Sequence, residues 1–418
     1  MLLGIQPKKL VIEKLRFDLK KILIVSYYLG TKKGVGGKRW LNYANYLNTL
    51  GYEITILTTS LRSEIERLHP KINIVNFNSN YPKILDQSTF NVLEKVKYRV
   101  VMIFMFLVCR GSIFDRAKRL ESLIHQKIEK LTISGDFKNI IVSGAPFSLM
   151  YFVCKHFRNR INIISDFRDP WTWGHGYGFK NLSQKRKQYE ISCEEFVINN
   201  SNYITCASKD ISIALDLRMK SSKKKPLVLL NTIESFKLQN PKNANSSVNK
   251  KIIISHIGTI AVDTEKYWKH FLTLIKQTKQ IIQINFYGNN NIQFYNHVKH
   301  NDVENINFIK RLDHLGLSKE LIKSDILILF KMDIFPNTFP TKFFDYIQSE
   351  KPIIAFTKEG EFSNEIERNN LGVVFNDDTD VSEFDSFLSS HTKINYSNYD
   401  ISKFSIMNQT KTLTKILL

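Results

Sequence analysis

Four residues with acid–base or ion-pairing chemistry crowd one short stretch, "SDFRDPWTWGHGYG" (165–178). Asp166, Arg168, Asp169 and His175 lie there among Trp171, Trp173 and several glycines. Carboxylates and an imidazole could move a proton, and polar groups set among aromatics suit a sugar or another polar ligand. A structural reading competes: Arg168 could bridge the two aspartates while the tryptophans pack between domains. One of the two aspartates is then an orienter only.

A second candidate is "LGTKKGVGGKRW" (29–40), where Gly34, Gly36 and Gly37 precede a predicted helix. A dinucleotide fingerprint needs G-x-G-x-x-G, but Arg39 occupies the place of the last glycine. A P-loop needs G-x-x-x-x-G-K-[ST], but position 32 is Lys and position 39 is Arg. What survives is generic: backbone amides at a helix start favour an anion, reinforced by Lys32, Lys33, Lys38 and Arg39. A plain strand-to-helix turn is the alternative.

The second half offers "HIGTI" (256–260) and "FYG" (286–288), each with a glycine, Gly258 or Gly288, directly after an apolar run. Glycine there lets a ligand approach the backbone. Farther on, "FPNTFPTKFFDYIQSEKPIIAF" (335–356) contains Asn337, Phe339, Pro340, Thr341, Lys342 and Asp345. A carboxylate such as Asp345 could accept both hydroxyls of a ribose, and Lys342 with adjacent amides could meet a diphosphate. On spacing alone, an N-capped helix with solvated charges explains the stretch better.

These groups follow short β-branched runs, apolar on both faces, such as "KILIVSYY", "NIIVSGAP", "KIIISHIG" and "DILILF". Such runs read as strands buried in parallel sheets, and the intervals between them fit helices. Trp40, Tyr43, Ala44 and Leu47 have helical spacing. The expectation is an α/β protein of two doubly wound, Rossmann-like domains facing across a cleft. Residues 1–225 form the first, after an extension over 1–19, and 226–395 the second. Residues 396–418 form a closing helix expected to pack back towards the first domain.

The 418 residues are 43% hydrophobic and 24% charged, ordinary for a globular protein. Cys109, Cys154, Cys193 and Cys206 show no metal-ligand spacing and read as reduced core thiols of a cytosolic chain. The net charge is +21, and residues 1–225 carry 38 Lys and Arg against 18 Asp and Glu. The remainder carries 22 against 21, so the basic half is expected to face something anionic. "VVMIFMFLVC" (100–109), too short to span a bilayer, is ringed by Lys95, Lys97, Arg99, Arg110, Arg116, Lys118 and Arg119. That pattern suits an anionic membrane interface. A buried core element is the alternative.

Over nearly its whole length the chain resembles GT-B glycosyltransferases, most closely the family 4 group. "KRWLNYANYLNTLGYEITILT", "IIVSGAPFSL", "DFRDPW", "NYITCAS", "LLNT", "HIGTI", "SDILILF" and "PTKFFDYIQSEKPIIAF" carry the likeness. The resemblance implies a nucleotide-sugar donor on the second domain, an acceptor on the first, retention of configuration, and no metal or other cofactor. It further implies a glycan or polyprenyl-linked acceptor at the cytoplasmic membrane face, in cell-surface polysaccharide synthesis. Asp345 would be the shortened form of the family's ribose carboxylate, and Asn337 stands where a carboxylate contacts the sugar. Thr259 replaces a family cation on the diphosphate, leaving Lys266, with Lys342 in support. Asn337 and Thr259 also leave open a non-catalytic or epimerase-like protein. The basic half raises nucleic-acid binding as a third reading, but no recognised nucleic-acid module accompanies it.

Overall fold

A computed structural model describes residues 20–30, 35–87, 91–174, 179–220, 224–233, 251–288, 291–301, 303–312 and 314–418. Among them run two parallel sheets. The first is built from β1 (Lys21–Ser26), β2 (Glu53–Thr58), β3 (Asn73–Asn76), β4 (Asn139–Gly144), β5 (Asn162–Phe167), β6 (Tyr203–Cys206) and β7 (Leu227–Val228). The second is built from β8 (Ile252–Ile257), β9 (Ile282–Tyr287), β10 (Ile306–Ile309), β11 (Ile326–Phe330), β12 (Ile353–Phe356) and β13 (Gly372–Phe375). Strand orders are β3-β2-β1-β4-β5-β6-β7 and β10-β9-β8-β11-β12-β13.

Both orders reverse direction beside the first strand of their domain, which makes a switch-point crevice at the strands' carboxyl ends. The central strands are apolar on both faces because helices cover both. β4 and β5 are buried throughout. The first half contributes helices α1 (Val35–Thr49), α2 (Val92–Val108), α3 (Glu121–Gly135), α4 (Ser148–Phe157), α5 (Gln184–Asn200) and α6 (Lys209–Asp216). The second contributes α7 (Glu265–Gln277), α8 (Ile292–His300), α9 (His314–Lys323), α10 (Thr341–Ser349), α11 (Glu361–Arg368), α12 (Val381–Ser390) and α13 (Ile406–Thr414).

The first sheet includes Leu227–Val228, just beyond residue 225, where the boundary was expected. The chain end then ties the halves together. Tyr396, Tyr399 and Phe404 pack in the second domain's core, while Leu413 and Leu417 pack in the first's. Asn139 and Asn162 donate to the last carbonyls, of Leu418 and Ile416. All four cysteines are buried thiols.

One polar cluster sits inside this apolar frame. Asp166, near the end of β5, and Arg39, in the first turns of α1, are fully buried side chains paired at 3.0 Å. The same carboxylate accepts from Trp40 Nε1 at 2.8 Å, Ser143 at 3.1 Å and Thr205 at 2.8 Å. It thereby joins α1, β4, β5 and β6. Burial pushes the Asp166 carboxyl up, but the Arg39 charge and these hydrogen bonds overcome it and hold it below its ordinary range.

Breaking a buried pair leaves an uncompensated charge, which costs about 3–5 kcal/mol. Asp166→Ala should lose that much in urea unfolding at neutral pH, whereas Asp169→Ala, at an exposed pair, should lose under about 1 kcal/mol. Because the folded carboxyl titrates below the unfolded one, its contribution is present above about pH 4. It should fade as the pH drops through the lowered value, seen as earlier acid unfolding in the wild type than a neutral-pH extrapolation gives.

Candidate active site

On the first domain the site begins where β5 ends. Asp166 and Arg39, expected as a catalytic carboxylate and an anion-binding cation, instead spend their charges on each other inside the protein. Arg168 pairs with Asp169 at 2.9 Å and does not bridge both aspartates, since Asp166 belongs to Arg39. The Arg168 guanidinium lies against the backbone of Gly36, where a Cβ would come within 1.5 Å of Nη1. Gly37 is equally constrained, since a Cβ there would be 2.6 Å from the Gly30 carbonyl oxygen. The glycines therefore admit a cation and a close chain crossing at the start of α1. Lys38 is half-buried on the same turn. Gly34 and His175 lie outside the described residues.

Two buried glutamates fix the loop after β5. Glu190 accepts from Trp171 Nε1 at 2.8 Å and pairs with Lys118 at 2.7 Å, and Glu194 accepts from Thr172. Trp171 stacks on Phe147 at 5.0 Å. Sequence reasoning passed over both glutamates. Their i, i+4 spacing on α5 was the available signal.

On the second domain, Gly258 and Thr259 are exposed at the carboxyl end of β8. Gly258 has φ of +73°, and Gly288, at the end of β9, packs on it so closely that a Cβ would be 3.1 Å from the Gly258 Cα. Lys342, in the first turn of α10, reaches this turn. Its Nζ donates to the Thr259 carbonyl at 2.7 Å and lies 3.1 Å from His256 Nε2. His256 is fully buried. Burial and the neighbouring Lys342 charge hold its imidazole neutral, far below its usual value. Burial also lowers Lys342, to about 8. Among the described residues no carboxylate lies within ion-pair distance of Lys342. An ammonium with no counter-ion, beside exposed backbone and a helix N-terminus, is arranged to receive an anion.

Lys266, the cation expected to meet a phosphate, is already neutralised by Asp333 at 3.0 Å and Asp377 at 3.2 Å. Lys331, which sequence reasoning missed, is buried at the end of β11 and likewise pushed down to about 8 by burial. Asp345 follows Lys342 by three residues on α10 and is half-buried on the same side of the helix. Thr341 is exposed, and Pro340 caps the helix. Phe339 is half-buried and packs 5.4 Å from both Phe343 and Phe404.

Asn337 joins the two domains. Its backbone N–H and side-chain amide each donate at 2.9 Å to Asp210, at the start of α6, and Thr338 adds a third bond at 2.9 Å. The Asn337 carbonyl oxygen accepts from the Glu361 amide, and Lys209 pairs with Glu361. Trp173 meets Phe335 edge-on across the same junction, at 6.2 Å. Among the described residues no group of three or more His, Cys, Asp or Glu is placed to hold a metal ion.

No protein-family model matches the chain, and no curated protein does. Solved structures do. The chain is similar to TarM at 12% identity, covering 96% of this chain and 99% of that one with a TM-score of 0.63. It is similar to Anabaena HepE bound to UDP and glucose at 11% identity, 95% and 99% coverage and a TM-score of 0.61. Sucrose-phosphate synthase of Thermosynechococcus elongatus follows at 10% identity, 95% coverage of each chain and a TM-score of 0.54. Two parallel sheets in the same arrangement over whole chains define the fold: it is the GT-B fold of glycosyltransferases.

Lys342 in its ammonium form is what an anion meets. Affinity for an anion such as pyrophosphate should therefore be full below about pH 8 and fall as the pH rises through it. Lys342→Met should weaken binding roughly 10- to 100-fold, the worth of a charged hydrogen bond, by titration calorimetry. Asp210→Ala should loosen the domain junction, read as a larger radius of gyration in solution scattering.

Proposed function

We propose that the chain is a glycosyltransferase that moves a sugar from a nucleoside-diphosphate donor on the second domain to an acceptor on the first. The acceptor class that fits the reading is a glycan or polyprenyl-linked saccharide at the cytoplasmic membrane face, in surface-polysaccharide synthesis. The observation that carries the proposal is the uncompensated Lys342 ammonium beside Gly258 and Thr259. TarM, HepE bound to UDP and glucose, and sucrose-phosphate synthase share its fold, which supports the same reading.

In this mechanism the bond from the sugar's anomeric carbon to the diphosphate breaks, and its electron pair goes to the phosphate. Lys342 and the amides opening α10 stabilise that growing charge without a metal, because they are aimed at it in advance. Asp345 takes the ribose hydroxyls. The acceptor hydroxyl bonds to the same face of the anomeric carbon, with retention, and passes its proton to the departing phosphate oxygen. Arg168, beside Gly36 and paired with Asp169, meets an acceptor phosphate or the donor's outer phosphate.

A second reading, a nucleotide-sugar-binding protein that transfers nothing or epimerises its ligand, draws on Asn337, which is occupied by Asp210 and Glu361. A thermal-shift screen across UDP-, GDP- and other nucleotide sugars tests the first step. A ligand at a hundredfold its Kd adds about 2.7 kcal/mol of stability. Asp345→Ala should abolish the shift, and no shift with any nucleotide sugar would refute the donor site. Binding without transfer to any glycan or lipid-linked acceptor would favour the second reading.

A further inference from the structure

Helix α2 has an apolar face with nothing on it. One side rests on Ile84, Leu85, Cys109 and Ile113 through Met105, with Tyr98, Val101 and Met102 beside it. On the other side Leu93, Val96, Val100, Ile103 and Leu107 are 81%, 58%, 61%, 63% and 79% exposed. Their spacing of three and four makes one continuous stripe. Phe104 and Phe106 flank it, about half exposed. Soluble proteins rarely leave so large an apolar surface uncovered without a partner for it. The expected alternative, a buried core element, does not describe this helix.

The surrounding charge says what the partner is. Lys95, Lys97 and Arg99 stand at the head of the helix, Arg110 and Arg119 beyond its end, and all five are exposed. Among the described residues none of the five has a carboxylate within ion-pair distance. Glu94 is the helix's one acidic residue, and it caps the helix start by accepting from the Asn91 amide. Arg186, in the first turn of α5, lies 3.7 Å from the Phe106 ring centre and donates to the Cys109 and Gly111 carbonyls. It pins the end of α2 and brings the basic opening of α5 to the same surface.

We infer that α2 is a docking element that lies in the plane of an anionic lipid interface, with its stripe among the acyl chains and its cations at the headgroups. No helix among the described residues is long and apolar enough to cross a membrane. A second copy of the chain fits the surface less well. The stripe covers about two heptads, short for a coiled coil, and pairing it would bring Lys97 and Arg99 against like charges with no acid to answer them. This deepens the glycosyltransferase reading, and rests on it only for its consequence: the first domain would meet its acceptor at the lipid surface.

The test is co-sedimentation of the full chain with phosphatidylcholine vesicles, with and without phosphatidylglycerol. The wild type should partition onto the phosphatidylglycerol vesicles, less so in high salt. Ile103→Glu/Leu107→Glu should bind roughly tenfold or more weakly, because two exposed apolar anchors become anions. Both positions are on the surface, so the melting temperature and any nucleotide-sugar shift should be unchanged. Equal partitioning of variant and wild type would overturn the inference. So would a dimer in light scattering that the double variant abolishes, with no vesicle binding. A wild type that shows the nucleotide shift but binds no vesicles would sink docking alone. Vesicle binding with no nucleotide shift would sink the glycosyltransferase reading and leave docking standing.

Discussion

The first domain is organised around the buried ion pair of Asp166 and Arg39. Asp166 and Arg39 are both fully enclosed, and neither could be left there alone. The pair fixes the start of α1 against the end of β5, at the carboxyl edge of the sheet. Gly36 follows from this, since the Arg168 guanidinium occupies the space a side chain would need. Positions that could each have served a ligand are thus divided: one carboxylate and one guanidinium hold the frame, and the neighbouring Arg168–Asp169 pair remains at the surface.

The second domain reaches the opposite electrostatic arrangement. Lys342 is half-buried, and its near neighbours are a carbonyl and a neutral imidazole. His256 must stay neutral there, because it is enclosed and beside an ammonium. Burial without compensation is unfavourable, and it lowers Lys342 far enough that an arriving anion regains part of that cost on binding. Lys266 shows the contrast. Paired with two aspartates, its charge has been answered, and its pKa moves up instead of down.

The architecture was legible in the sequence because both-face-apolar runs alternating with amphipathic stretches admit few other folds. The positions of the active-region turns were legible for the same reason. What was not legible was the division of labour among like residues. Asp166 and Asp169 look equivalent in "DFRD", but Asp166 lies inside β5, facing the interior, and Asp169 lies past its end. Lys266 looked available because Asp333 and Asp377, which neutralise it, come from distant segments. The packing of Phe339 against Phe404 and Phe362 likewise depends on elements far along the chain. The apolar run at 100–109 with its ring of cations suited an interface but also allowed a buried core element, and only exposure separates the two.

Asn337 shows how such a departure from a family pattern can be matched by a second residue. Its amide nitrogen donates to one oxygen of Asp210 while its backbone N–H donates to the other. A carboxylate at position 337 would face the Asp210 carboxylate across the junction, where two anions repel and neither can donate. The amide also offers its carbonyl to the Glu361 backbone at the start of α11. One small side chain therefore satisfies a donor and an acceptor from different domains at once, which Asp or Glu could not do. Residue 337 and residue 210 thus form a matched pair across the junction between the two domains.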